Sequence, residues 1–254
     1  MLLYLIFLVI LGLPVMVMEF AVGRASQRSA AGAFDKLQPS GKWHWFGWWG
    51  YIGCMILMMF YTTVGGWMIQ YFLSTAQGKF NGMSAEEVGQ AYEQICADPV
   101  GMVGFMALVV VLGFFICSFS LQKGLERVTK YMMIALLVIM VVLAINSFTM
   151  EGAKEGLSFY LKPDLEKIKE VGVRNVILGA MTQAFFTLSL GMGGMAIFSS
   201  YIGKERSLMG ESINVAILDT FVALVSGLII FPACFTYHVE AGSGPKLIFV
   251  TLPN

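Results

Sequence analysis

The chain of 254 residues is 57% hydrophobic and 13% charged, and its 16 cationic and 16 anionic side chains cancel to a formal net charge of zero. A mean hydropathy of +0.76 excludes a soluble globular domain, and the charge balance leaves no basic surface for nucleic acid. These proportions are those of an integral membrane protein, and its long apolar runs are read as the helices of an all-α fold.

Charge-free runs predict six spans, at about 1–22, 46–75, 100–119, 127–149, 175–203 and 212–237, each near or above the roughly 20 apolar residues that cross a bilayer. Met1 opens straight into the first run without a basic segment or cleavage site, so this run is not expected to be a signal peptide. The sequence reads as starting in mid-membrane and stopping inside a loop at Asn254, the expectation for a fragment. Within the first span Glu19 is a carboxylate in an apolar setting, which costs a few kcal/mol on insertion scales and needs a partner or a function. Residues 23–45 carry Arg24, Arg28, Lys36 and Lys42 against Asp35, so the positive-inside bias puts them in the cytoplasm. Trp43, Trp45, Trp48 and Trp49 then mark the entry of the second span as an interfacial aromatic belt.

The loop at 76–99 holds Lys79 against Glu86, Glu87, Glu93 and Asp98 and is expected outside. Ser84 with Glu87 forms a capping box ahead of Val88, Ala91, Tyr92 and Ile95, which share one helical face. Lys123, Arg127 and Lys130 against Glu126 make the next loop basic again, and Pro163 to Val171 reads as a short surface helix outside. The four cysteines, Cys54, Cys96, Cys117 and Cys234, imply no disulfide framework and read as inert core residues. His44 and His238 are too far apart for a metal pair.

The fifth run is the most informative. Residues 175–203 contain no Asp, Glu, Lys or Arg, yet Gly191, Gly193 and Gly194 interrupt them, each costing about 1 kcal/mol of helix propensity. A helix is expected to stop and restart there. Carbonyls from Phe186 to Ser189 and amides from Gly193 to Met195 would then lose their partners where hydrocarbon offers no water. Such groups suit a cation at the carbonyl end and an anion at the amide end. The alternative is a glycine seam that lets neighbouring helices pack closely. Gln183, Thr187 and Ser189 add polar side chains beside the break, which a packing seam does not need. In the sixth run Asp219 is the second intramembrane acid.

Several segments in order resemble the neurotransmitter:sodium symporter family. QAFFTLSLGMG (Gln183 to Gly193) is similar to its sixth, unwound helix, and GLPVMVMEFAVGR (Gly12 to Arg24) to its second. FYTTVGGW (Phe60 to Trp67) resembles the third, KGLERVTK (Lys123 to Lys130) the start of the fifth, and LDTFVALVSGLIIFP (Leu218 to Pro232) the seventh. GPKLIFVTLP (Gly244 to Pro253) resembles the loop that follows. The resemblance implies part of an inverted-repeat, leucine-transporter-like fold covering helices two to seven, with the first and the eighth onward missing.

What the family does then becomes an expectation for these residues. Sodium would be ligated by Thr187 and Asp219, the latter standing where relatives carry Asn or Asp. Tyr61 would bind the substrate carboxylate, and carbonyls of Phe186, Thr187 and Ser189 its ammonium. Leu57, Phe186 and Met192 would line the side chain of a neutral, apolar or aromatic amino acid. Glu19 would support the unwound helices, with Gln183, Gly191, Gly193 and Tyr201 in supporting or gating places. Of the residues that build a chloride site in relatives, Tyr4, Gln183 and Thr187 match. Asp219 and Ala223 do not, so chloride is not expected to be required. Gly124 is present, but Ile134 stands where the family often has a proline ten residues on. The expected activity is sodium-coupled amino-acid symport by the parent transporter, with the chain inactive alone. A membrane scaffold that uses the helices only for packing is the alternative. No catalytic motif such as HExxH or GxSxG occurs.

Overall fold

The computed structural model describes residues 1–237 except 81, 84, 120–124 and 163–164. Ser84, Lys123, Gly124, Pro163, His238 and the Gly244 to Pro253 motif therefore lie outside the described residues. Every regular element described is helical.

The chain begins with α1 (Leu2–Phe7), which passes through a π-helical turn, Leu8–Gly12, into α2 (Leu13–Ser26). Pro14 has no amide to aim at Ile10 and its ring crowds that carbonyl; the wider π turn just ahead of it takes up the mismatch. At the end of α2, Gln27 turns left-handed at φ 51°, and Ser29 caps α3 (Ala30–Leu37) by accepting from the Gly32 amide at 3.4 Å. The second span is α4 (His44–Ala76), followed by α5 (Ala85–Ala97) and α6 (Pro99–Ser118). Asp98 caps α6 by accepting from the Val100 amide at 3.1 Å, and Pro99 occupies the first position, where its missing amide costs nothing. After α7 (Leu125–Ser147) come the short α8 (Ala153–Leu161) and α9 (Leu165–Val171), then α10 (Val173–Thr187), α11 (Gly194–Ser199) and α12 (Leu208–Thr236).

Among the described residues five helical stretches are long and apolar enough to cross a membrane: Leu2–Ser26, His44–Ala76, Pro99–Ser118, Glu126–Ser147 and Leu208–Thr236. The fifth run of the sequence is split into α10 and α11 by Leu188 to Gly193, so one crossing of this all-α membrane fold is broken in mid-span. Two short helices, α3 and α8, were not expected from the sequence. Each is short, of eight and nine residues, and depends for its order on what it packs against.

Two units can be distinguished: residues 1–58 with 163–223, and 59–162 with 224–254. In the first, Leu8, Met16 and Phe20 meet Ala184, Leu188 and Leu190 of the broken crossing, with Ala216 of α12. Here α2 and α11 touch closely, because a Cβ at Gly23 would collide with the Ala196 carbonyl and the Ser199 hydroxyl. In the second unit α8 lies on the last turns of α12. A Cβ at Gly156 would stand 2.6 Å from the Pro232 nitrogen, and the Gly152 amide donates to Thr236 Oγ1 at 3.1 Å. A satellite core of Tyr71, Phe80, Val88 and Tyr92, with Trp67, Ala91 and Ile95 against it, ties α5 to the end of α4. Of the cysteines only Cys234 is buried; Cys54 and Cys96 are half-buried and Cys117 is exposed, which corrects their reading as core residues. All four thiols are free.

Candidate functional site

The break between α10 and α11 is made by alternating left-handed residues: Ser189 at φ 52°, Gly191 at 85° and Gly193 at 74°. Glycine adopts such angles freely, whereas an L side chain pays roughly 1–2 kcal/mol, so Ser189 is the strained member. At Gly193 a Cβ would also run into the Cβ of Ala30, the first residue of α3. The glycine is thus required twice, by its φ and by the neighbour.

Backbone hydrogen bonding through the break is partial. Phe186 is not left open as expected: its carbonyl accepts from the Ser189 amide at 3.1 Å, and that of Phe185 from Leu190 at 3.1 Å, because a tight turn follows α10. Carbonyls of Thr187, Leu188 and Ser189 accept no backbone bond, and amides from Met192 to Ala196 find no backbone acceptor among the described residues. The cap position of α11 is Gly193, which offers no side chain to those amides.

Two side chains from other helices reach the break. The Gly191 amide donates to Glu19 Oε1 of α2 at 2.5 Å, while Glu19 Oε2 is buried with no partner among the described residues. On the other side, Thr187 Oγ1 donates to Asp219 Oδ2 of α12 at 2.8 Å. The buried Tyr4 hydroxyl of α1 lies beside Thr187, Thr220 and Asp219 without closing a hydrogen bond. Thr187 and Asp219 thus put two oxygens side by side next to the open carbonyls, a donor set that suits a hard cation. Among the described residues no group of three or more His, Cys, Asp or Glu side chains is placed to hold a transition metal.

Glu19, Gly191 and Gly193 border a cavity of about 350 Å³ whose other walls include Val15, Phe34, Phe46 and Phe185. Its lining is apolar apart from the Glu19 carboxylate and the exposed backbone. Gly50 of α4 lies against the same stretch, where an added Cβ would be 3.5 Å from the Met192 carbonyl.

The structure joins Glu19 to Gly191 and Thr187 to Asp219, and sets Gly193 on the same cavity as Glu19 and Gly191. Gln183 is exposed on α10 and makes no side-chain hydrogen bond among the described residues; Phe186 is 53% exposed. Ser189 and Met192 are half-buried in the break, and Leu57 is half-buried on α4. Tyr61, on the part of α4 in the second unit, is exposed and sets its ring edge-on to Phe60. Tyr201 is exposed in the loop after α11. Ala223 is exposed and has no polar side-chain atom, and Ile134 is exposed on α7 as part of an unbroken helix.

Sequence reasoning missed the anchoring of that loop. Arg24 Nη1 donates to the Arg206 carbonyl at 2.7 Å, and Arg206 pairs with Glu211 at 3.2 Å. Nothing local marks Arg24 for this, since its partner is 182 positions away.

A family model described as "Sodium:neurotransmitter symporter family" matches residues 1–91 and 87–253. The "Uncharacterized sodium-dependent transporter YhdH" of Bacillus subtilis (strain 168) is 34% identical over 252 residues, covering 99% of this chain and 55% of that protein. The mouse "Sodium-dependent neutral amino acid transporter B(0)AT2" is 24% identical over 256 residues, covering 90% and 34%. Among solved structures, MhsT in complex with L-phenylalanine matches with a TM-score of 0.90 and 38% identity, over 99% of this chain and 56% of MhsT. The chain spans about half the length of YhdH and of MhsT.

Proposed function

Because the chain belongs to the sodium:neurotransmitter symporter family, a family of sodium-dependent multi-pass membrane transporters and not of enzymes, we propose that the transporter bearing these residues moves sodium together with a neutral, apolar or aromatic amino acid. The observation that carries this reading is the break at Leu188 to Gly193, with open carbonyls beside the Thr187–Asp219 pair. A bilayer core punishes unpaired backbone groups by several kcal/mol each, so the arrangement makes sense when ions and a zwitterion share the site.

Thr187 and Asp219 are assigned to the co-transported sodium. Carbonyls of Thr187 and Ser189 are assigned to the substrate ammonium, and that of Phe186 through its remaining lone pair. Tyr61 is assigned to the substrate carboxylate, and Leu57, Phe186 and Met192 to its side chain. That MhsT was solved with L-phenylalanine, and that B(0)AT2 is named for neutral amino acids, support the substrate class. Glu19 holds the Gly191 amide and so fixes the turn between the half-helices, while Gln183, Gly193 and Tyr201 are assigned supporting or gating places. A substrate carboxylate that shares a sodium ion links the two affinities, each raising the other by the same factor.

Asp219 brings a fixed negative charge next to Tyr4 and Thr187, which repels an anion there. Uptake is therefore proposed to be independent of chloride. With the chain spanning about half the length of its relatives, transport is proposed for the whole transporter and not for the 254 residues alone.

The test is uptake of labelled L-phenylalanine or L-leucine into proteoliposomes. Whole transporter should accumulate substrate with external sodium, lose it with choline in place of sodium, and keep it with gluconate in place of chloride. Asp219→Ala should raise the sodium concentration for half-maximal uptake. Unchanged sodium dependence in Asp219→Ala and Thr187→Ala would refute the sodium assignment, and no sodium-driven uptake by the whole transporter would favour the scaffold alternative.

A further inference from the structure

We infer that the corner where α2, α3 and the first turns of α4 meet is a docking surface for anionic phospholipid, with the headgroup phosphates of the adjoining leaflet as its partner. This inference does not rest on the transport reading, because every residue it uses lies within 23–49, outside the break.

Tryptophan sets the depth of the corner. Four of the five tryptophans in the chain, Trp43, Trp45, Trp48 and Trp49, stand around the start of α4, and all four are exposed. Such amphipathic rings settle at the level of lipid headgroups. The helix α3 is fixed beside them. Phe34 stacks on Trp43 with ring centres 6.3 Å apart and meets Phe46 edge-on at 5.3 Å. A Cβ added at Gly47 would stand 2.8 Å from the Ala30 carbonyl, so α3 lies hard against the first turns of α4.

The chain leading into this belt sets the charge. Residues 23–45 hold Arg24, Arg28, Lys36 and Lys42 against a single acid, Asp35. Arg24 and Lys36 each donate to a backbone carbonyl at 2.7 Å, of Arg206 and Ser26 respectively, and a neutral carbonyl leaves their charge uncancelled. Arg28 and Lys42 are exposed and make no ion pair or side-chain hydrogen bond among the described residues. Arg28 starts at the end of α2, its amide 3.4 Å from Ser26 Oγ, and so borders the same residue that holds the Lys36 ammonium; Lys42 immediately precedes Trp43. Arg28 comes before α3 and Lys42 after it, with a helix of eight residues, about 12 Å long, between them. A small anion needs donors that converge on one point. A leaflet presents many phosphates at one level, so its cations need only reach that level, and the aromatic belt puts them there. An acidic protein would answer the charge but give the four exposed indoles no role.

Tryptophan also supplies the reporter, since four of the five indoles are at this corner. The protein is reconstituted in bilayers of phosphatidylcholine and phosphatidylglycerol, with bromine high on the acyl chains of one lipid or the other, and quenching of tryptophan fluorescence gives the relative affinity for the two. Wild type should favour phosphatidylglycerol by about fivefold for each free cation at low salt, and by less at high salt. Arg28→Gln and Lys42→Gln remove side-chain charges that hold nothing in the fold; each should lose one such factor, and the double variant should approach parity. Lys154→Gln, the same change of charge at an exposed position of α8, should keep the wild-type preference, which separates a local surface from net charge. Glycerol phosphate dissolved at millimolar concentration should not displace the lipid. Equal quenching by both lipids in wild type, a preference that survives the double variant, a loss in Lys154→Gln as large as in Arg28→Gln, or displacement by glycerol phosphate each overturns the inference.

Discussion

Replacing the three glycines of the break by alanine, one at a time, separates a true interruption from a glycine-bearing helix. Gly191 has φ 85° and nothing within 4 Å of an added Cβ, so alanine there meets only the conformational penalty, roughly 1–2 kcal/mol. Gly193 has φ 74° and would also drive its Cβ into Ala30; overpacking adds about 1–3 kcal/mol, for a total of roughly 2–5 kcal/mol. Gly194 starts α11, has no positive φ and has open space around it, so alanine should stabilise by up to about 1 kcal/mol. The assay is unfolding by SDS in mixed micelles, followed by circular dichroism. The midpoints should rank Gly193→Ala lowest, then Gly191→Ala, then wild type, with Gly194→Ala at or above wild type. If all three substitutions stabilise by about the same amount, as propensity predicts inside a continuous helix, the reasoning is refuted.

Further outcomes follow from single contacts. Glu19→Ala leaves the Gly191 amide without its acceptor and should cost about 1.5–3 kcal/mol in the same titration, while Glu19→Gln, which can still accept, should cost less; equal losses would show that the hydrogen bond is not the reason. Thr187→Val, close in shape, removes the bond to Asp219 and should also lose about 1.5–3 kcal/mol, with no change if that bond contributes nothing. Gly156→Ala places a Cβ 2.6 Å from the Pro232 nitrogen and should destabilise by about 1–3 kcal/mol, whereas Gly179→Ala, in open space on α10, should gain about 1 kcal/mol; the reverse order would contradict the α8–α12 packing. Burial pushes the Tyr92 phenol from 10.0 up to about 12. Its neutral form is favoured in the folded lobe, so that contribution is intact below pH 10 and is lost as the pH rises toward 12. Hydrogen exchange in α5 should accelerate over that window in wild type and less in Tyr92→Phe; identical profiles would rule it out.

The broken crossing could be read from sequence because three glycines in a charge-free run contradict a continuous helix, and Glu19 and Asp219 stood out as acids in apolar runs. What the sequence could not show was how these features meet. Gly191 and Glu19 are 172 positions apart, and the contact of Gly193 with Ala30 depends on α3, a helix too short to announce itself by periodicity. Ser189 gave no sign that it would adopt the left-handed conformation, which glycine alone takes freely. The π turn before Pro14 was hidden for a related reason: the proline suggests a disturbed helix, but not how the disturbance is absorbed. The closing turn on Phe185 and Phe186 likewise arises from local geometry, and it removed part of the open backbone expected there.

Amide hydrogen exchange across residues 183–199 of the protein in nanodiscs, resolved by mass spectrometry, addresses the interruption itself. Amides from Met192 to Ala196, without backbone acceptors, should exchange far faster than those in the interior of α10, and sodium with amino acid should slow them in the whole transporter. Uniform slow exchange through the entire stretch, indifferent to both solutes, would mean a continuous hydrogen-bonded helix and would contradict the account.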